Sequence, residues 1–304
     1  MNRPTTLARL LLCLAPAFLA ACATAPGPRP AAPPFPAAVE APARPPRVAV
    51  VLGGGGVRGF AEIGVLHVLE QERIPVDIVV GTSVGSLVGA FYADSGRVFD
   101  AEFLAAGIEE RDLFDYSAMA VFSGGLIKGE RLEDYVRSRL RHHLIEKMEV
   151  KYAAVAVDVT TGKTTVFDRG PVAPAVHASC AIPGVFVPVE IDGATYVDGG
   201  VTDPLPADVA RGMGADVVIA VAIPPAVPRA RPKNPLEVAF HAVTLMTAEI
   251  GRLRAREADV VVEPNLGVVG FRDFDRRREM IEAGEAAARA ALPAIRAAIA
   301  ARSR

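Results

Sequence analysis

A single serine stands between two glycines where an apolar run gives way to a helix-like one: Gly81-Thr82-Ser83-Val84-Gly85. The preceding Val76-Asp77-Ile78-Val79-Val80 has the β-branched make-up of a buried strand, and residues 86–92 read as a helix. Passing from strand to helix in so few residues leaves no room for flanking side chains. Glycine is therefore demanded on either side, and the serine hydroxyl is pushed above the sheet edge. The following helix aims free N–H groups at the same spot, where developing negative charge would be stabilised. This nucleophile-elbow pattern commits the chain to a strand–turn–helix unit. Taken alone it also describes a tight turn with a small residue in it, so the neighbouring segments decide.

Upstream, Arg47-Val48-Ala49-Val50-Val51-Leu52 reads as a buried strand running into Gly53-Gly54-Gly55-Gly56-Val57-Arg58-Gly59, and residues 60–70 have helical apolar spacing. Strand, glycine loop and helix make an anion-binding arrangement, because bare N–H groups can approach a negative group there. Three meanings compete. Gly54-x-Gly56-x-x-Gly59 fits a dinucleotide fingerprint, which wants an acid closing the second strand; here Asp77 opens that strand and Ser83 ends it. A P-loop needs Gly-Lys-Ser/Thr, which this loop lacks. An oxyanion hole is the reading that suits a serine at the tip of the next strand.

Further along, residues 98–113 are expected to form one helix and residues 131–142 a solvated amphipathic one. The irregular apolar stretch 115–125 suits either core packing or a cap over a greasy site. Strands are expected at 151–160 and 164–167, then a short helix over 171–182 stopped by Pro183-Gly184. Asp192-Gly193 between apolar runs marks a hairpin whose second arm delivers Asp198-Gly199-Gly200. An Asp-Gly turn usually satisfies its own backbone. An acid at a strand end before two glycines can equally be held rigidly for catalysis. Helix (206–213), strand (216–223), long helix (238–258), strand (259–263) and a C-terminal helix (276–302) kinked at Pro293 complete the pattern. The class is α/β with a largely parallel sheet, whose ligands bind beyond the strands' carboxyl ends.

At 304 residues, 51% hydrophobic and 22% charged, the chain suits one domain of about 250 residues plus appendages. A net charge of −2 with no Lys/Arg block argues against nucleic acid as a partner. Arg3 and Arg9 precede an apolar run over residues 10–19 that is too short to span a bilayer comfortably, so residues 1–21 read as a signal peptide. Leu19-Ala20-Ala21-Cys22 resembles a bacterial lipoprotein lipobox, which implies lipidation of Cys22. Ala23 after it, rather than Asp, points to export and anchoring at the periplasmic face of an outer membrane. Residues 22–46, nearly all Ala and Pro after the cysteine, are expected as a tether, leaving residues 47–304 as the domain. With Cys13 removed and Cys22 lipidated, Cys180 is alone and no disulfide is expected.

Gly54-Gly55-Gly56-Val57-Arg58-Gly59, Gly81-Thr82-Ser83-Val84-Gly85 and Asp198-Gly199-Gly200, in that order, closely resemble the patatin-like phospholipase family. Ala178-Ser179-Cys180-Ala181-Ile182-Pro183-Gly184 adds a likeness to its bacterial members. The resemblance implies a three-layer α/β/α fold and hydrolysis of acyl esters in phospholipids or lysophospholipids by a Ser-Asp dyad. By position, Ser83 would be the nucleophile and Asp198 the base. The amides of Gly54, Gly55 and Gly56 would form the oxyanion hole, and Arg58 would brace that loop or meet the lipid phosphate. No metal-ligand spacing is apparent and the dyad needs none, so neither metal nor cofactor is expected. Two alternatives stay open: a general esterase with a Ser-Asp-His triad through His241, and a non-catalytic lipid- or nucleotide-binding module.

Overall fold

The computed structural model describes residues 44–223, 225, 231–270 and 273–303. The expected signal peptide, Cys22 and all of the tether but residues 44–46 lie outside the described residues. The chain opens with β1 (Val48–Leu52), α1 (Phe60–Gln71), β2 (Ile78–Thr82), α2 (Val84–Ala93), α3 (Val98–Ala106), α4 (Glu110–Leu113) and α5 (Glu130–Arg139). There follow β3 (Lys151–Asp158), β4 (Thr164–Phe167), α6 (Val172–Cys180), β5 (Val189–Ile191) and β6 (Ala194–Asp198). The last elements are α7 (Ala207–Gly212), β7 (Val217–Val221), α8 (Pro235–Arg254), β8 (Val260–Val262) and α9 (Arg277–Arg302).

Among the described residues, eight strands join one sheet in the order β5-β6-β3-β2-β1-β7-β8, with β4 added on β3. The run β3-β2-β1-β7-β8 is parallel, whereas β4 and the β5–β6 hairpin pair antiparallel. Parallel strands covered on both faces read as continuous apolar runs, as β1 and β7 do. Val48, Val50, Leu52, Val79 and Ile219 turn to the face packed by α1, α2, α6 and α9. Ala49, Val51, Val80, Val155 and Val218 turn to the opposite face, beneath α7 and the residues that follow α8. The result is the three-layer α/β/α arrangement, thick on one side and thin on the other.

Two helices differ from expectation. Residues 98–113 form α3 and α4, because Gly107 ends the first and Glu109 starts the second through a reciprocal capping box with Asp112. Helix α5 stops at Arg139 rather than 142, since the buried Asp94 carboxylate accepts the Arg141 and His142 amides at 3.1 and 2.9 Å. That capture is long-range, and nothing local in the sequence announces it. Helix α9 continues through Pro293 as one element.

Candidate active site

The turn after β2 places Ser83 at φ 56°, ψ −129°, a backbone region that a residue with a Cβ adopts only under constraint. The constraints are explicit. A Cβ on Gly81 would overlap the Gly85 carbonyl, and one on Gly85 would overlap the Leu52 carbonyl, so the elbow closes only around these two glycines. The Ser83 N–H donates to Ser179 Oγ at 3.0 Å, and that hydroxyl donates to the Val155 carbonyl at 2.6 Å. The Ser83 carbonyl accepts from the Ser86 amide at 2.8 Å and from its hydroxyl at 2.7 Å. Ser179 is a positioning residue that sequence reasoning missed. It sits within the Ala178–Gly184 stretch, and a small hydroxyl amid apolar helix residues was its only signal.

Sheet register brings the acid to the serine. Thr82 lies opposite Val155 of β3, and Asp198 lies opposite the next residue, Ala156. The Asp198 N–H donates to the Ala181 carbonyl at 2.8 Å, and Asp198 Oδ1 accepts the Gly200 N–H at 2.7 Å. Ser83 and that carboxylate line the same cleft. Ser83 is 7% exposed and Asp198 5%. Burial pushes the Asp198 carboxyl up to about 6, against the opposing pull of the Ser83 hydroxyl and the Gly200 bond. A carboxylate tuned to this range is ionised at neutral pH yet basic enough to take a proton from a hydroxyl.

The glycine loop needs a correction. The Gly53 N–H donates to the Val221 carbonyl and the Gly54 N–H to the Pro204 carbonyl, both at 3.2 Å, so Gly54 is committed to the loop's own scaffold. Among the described residues the Gly55 and Gly56 amides meet no acceptor. Arg58 Nε donates to the Gly55 carbonyl at 3.2 Å. Because the peptide unit is planar and trans, fixing that carbonyl fixes the Gly56 N–H on the opposite side. Arg58 is thus bonded to the loop and also lines the outer part of the cleft.

Two cavities meet at Ser83. The inner one is walled by apolar side chains including Phe60, Leu87, Val88, Ile108, Phe114 and Phe186. The outer one holds Arg58 and Asp198 and is bounded by Phe240, Thr244 and Thr247 of α8. Phe114, at the foot of the 115–125 stretch, packs on Phe186. The stretch itself is stitched down by Ser117–Leu126 and Leu126–Val185 backbone bonds, while Met119 and Phe122 at its tip stay exposed.

Three of the histidines are engaged elsewhere. His67 sits 3.1 Å from both Glu102 and Glu285, His142 bonds Asp94 and His177 bonds Glu133. His241 is on α8 outside both cavity linings, and among the described hydrogen bonds no histidine reaches Ser83 or Asp198.

Comparisons with known proteins agree with this frame. The Patatin family, described as patatin-like phospholipase, matches residues 50–211. An uncharacterized NTE family protein of Mycobacterium tuberculosis is 38% identical over 178 residues, covering 59% of this chain and 49% of that protein. Patatin-like phospholipase domain-containing protein 7 of Rattus norvegicus is 35% identical over 184 residues, covering 57% of this chain and 13% of that protein. The chain thus matches half or less of the length of these curated relatives. VipD from Legionella pneumophila superimposes with a TM-score of 0.54 at 14% identity, over 82% of this chain and 67% of its own, a likeness of fold. With its elbow, glycine loop and buried aspartate all inside or just before the matched residues, the chain belongs to the patatin-like phospholipase family.

Proposed function

We propose that the chain is a serine acyl hydrolase that cleaves the carboxylic esters of phospholipids or lysophospholipids. The observation that carries the reading is the elbow serine, Ser83, buried in one cleft with the buried Asp198 at the border of an apolar cavity. Ser83 Oγ attacks the ester carbonyl carbon while its proton passes to Asp198. The oxyanion of the tetrahedral intermediate sits against the Gly55 and Gly56 amides. Cleavage of the ester C–O bond leaves the acyl group on Ser83, and the Asp198 proton goes to the departing lysolipid or glycerol oxygen. Asp198 then takes a proton from water as its oxygen attacks the acyl carbon, and returns that proton to Ser83 as the fatty acid leaves. The inner cavity takes the acyl chain and the outer one the polar remainder, with Arg58 at its wall.

The His241 triad is the weaker reading, because that ring neither lines the cleft nor meets Asp198. Anchoring through a lipidated Cys22, at the periplasmic face of an outer membrane, belongs to the same proposal and rests on the lipobox pattern. The test is product analysis by mass spectrometry after incubation with defined phospholipids and lysophospholipids in detergent. Free fatty acid from the wild type and none from Ser83→Ala supports the proposal. No acyl release from any of these lipids, with lipid still bound, favours the non-catalytic module.

A further inference from the structure

Helix α8 is built as if it had a solvent other than water. From Val238 to Ala248 its polar side chains are only His241, Thr244 and Thr247. A helix with so few polar side chains is normally buried, yet no described side chain of α8 is fully buried. Phe240, Val243, Thr244 and Thr247 recur at helical spacing and face the outer cavity. The opposite side carries Val238, Leu245 and Met246, exposed at 52, 54 and 56%. Phe99, Phe103 and Phe122 are more exposed still, but none sits on an element that walls the outer cavity.

Charge at the two ends of α8 indicates what covers this side. Arg231 and Lys233 are exposed just before the Asn234 N-cap, and neither forms an ion pair among the described residues. Cations beside a helix N-terminus oppose the helix dipole, a cost that an anionic surface would offset. The nearby Glu237 is turned onto the Lys233 amide and the Asn234 side chain. At the other end Arg252 pairs with Glu249, and Arg254 with Asp203, Asp208 and Glu257, which fastens that end to the body. No helix among the described residues is long and apolar enough to cross a membrane. An apolar face with cations at its edge is the pattern of a helix lying in a lipid interface.

We infer that α8 docks the domain on an anionic lipid surface through Val238, Leu245 and Met246, with Arg231 and Lys233 meeting the headgroups. The inference rests on the acyl-hydrolase reading for its purpose, since α8 is also the wall of the cleft. An ester lifted from the surface then enters the outer cavity without crossing bulk water.

The decisive experiment reads α8 itself and does not need turnover. The full chain carries Ser83→Ala, with Cys13→Ser and Cys22→Ser to leave no competing accessible thiol. Met246→Cys is labelled with an environment-sensitive NBD dye, and Arg278→Cys on α9 gives the control position. With phosphatidylglycerol/phosphatidylcholine vesicles, Met246 emission should shift to the blue and rise severalfold while the Arg278 signal stays flat. Arg231→Glu with Lys233→Glu should weaken vesicle affinity about tenfold or more, at roughly 1 kcal/mol per basic residue. An unchanged Met246 signal overturns the inference. So does a blue shift that follows protein concentration without vesicles, with a dimer in sedimentation, since the face is then a contact between copies. A companion arm keeps Ser83 and introduces Val238→Gln, Leu245→Gln and Met246→Gln together. Hydrolysis of vesicle phospholipid should fall at least tenfold while that of a soluble short-chain ester stays within twofold. Loss of neither contradicts docking, whereas no short-ester turnover in the unmodified chain overturns the hydrolase reading instead.

Discussion

The two cavities that meet at Ser83 have walls of opposite kind. The inner one is lined by α1 and α2, which lie in the main core, and α1 is packed in turn by α9. Met280, Gly284, Ala288 and Ile295 bury one face of α9 and leave its charges outside. The outer one is closed by α8, as long as many core helices yet without one fully buried described side chain. Apolar content does not separate the two helices; its distribution does. A buried one-sided stripe belongs to a helix that holds the fold together, and a broad apolar surface left exposed belongs to one that meets something else. On the proposed reading the inner wall sets stability and acyl fit, and the outer wall sets access.

The largest effect should come from the point the two cavities share. Ser83→Ala is expected to lower kcat/KM by at least about 10⁴-fold for soluble and aggregated esters alike. Initial rates on both substrate forms check this; a loss confined to one form would mean that the cavities serve different chemistry.

Asp198→Asn should cost on the order of 10³-fold in kcat/KM, the scale of a general base. In the unmodified chain kcat/KM should rise tenfold per pH unit up to about 6 and then level, because the carboxyl titrates there. Stability should move the other way. Folded Asp198 keeps its proton up to about 6 whereas the unfolded chain loses it near 3.9, so folding loses stability as pH rises between those values. Urea midpoints should therefore fall further from pH 4 to 7 in the unmodified chain than in Asp198→Asn, by about 1–3 kcal/mol in unfolding free energy.

A smaller loss, about 10- to 100-fold in kcat, is expected for Arg58→Ala, since it loosens the Gly55–Gly56 peptide without deleting a donor. KM for a soluble ester should change little; a rise in KM alone would instead assign Arg58 to substrate binding. Smallest and most selective is Ile108→Phe, which fills the inner cavity. It should lower kcat/KM for decanoyl esters about tenfold relative to acetyl esters. Equal losses on both would show that the acyl chain lies elsewhere.

Much of this was legible in the chain before any coordinates. The Gly81–Gly85 elbow, the strand before the glycine loop and the Asp192-Gly193 hairpin each rest on local backbone demands, and local demands are written in neighbouring residues. What stayed hidden depends on contacts across the fold. The Gly54 amide is taken by Pro204, 150 residues on, so of the three glycines expected as oxyanion donors only Gly55 and Gly56 keep amides without an acceptor among the described residues. Ser179 supports the elbow from α6, and Asp94 ends α5 from the far side of α3 and α4. The character of α8 was half visible: its composition was plain, but its exposure follows from which elements fail to cover it.

The central claim is that Asp198 alone activates Ser83. Intact-protein mass spectrometry after treatment with a fluorophosphonate tests it directly, run on the unmodified chain, Ser83→Ala, Asp198→Asn and His241→Ala. One adduct per chain on Ser83, formed at the same rate in His241→Ala and slowed at least a hundredfold in Asp198→Asn, is the result this account predicts. Labelling that survives Asp198→Asn, or that disappears with His241→Ala, would contradict it.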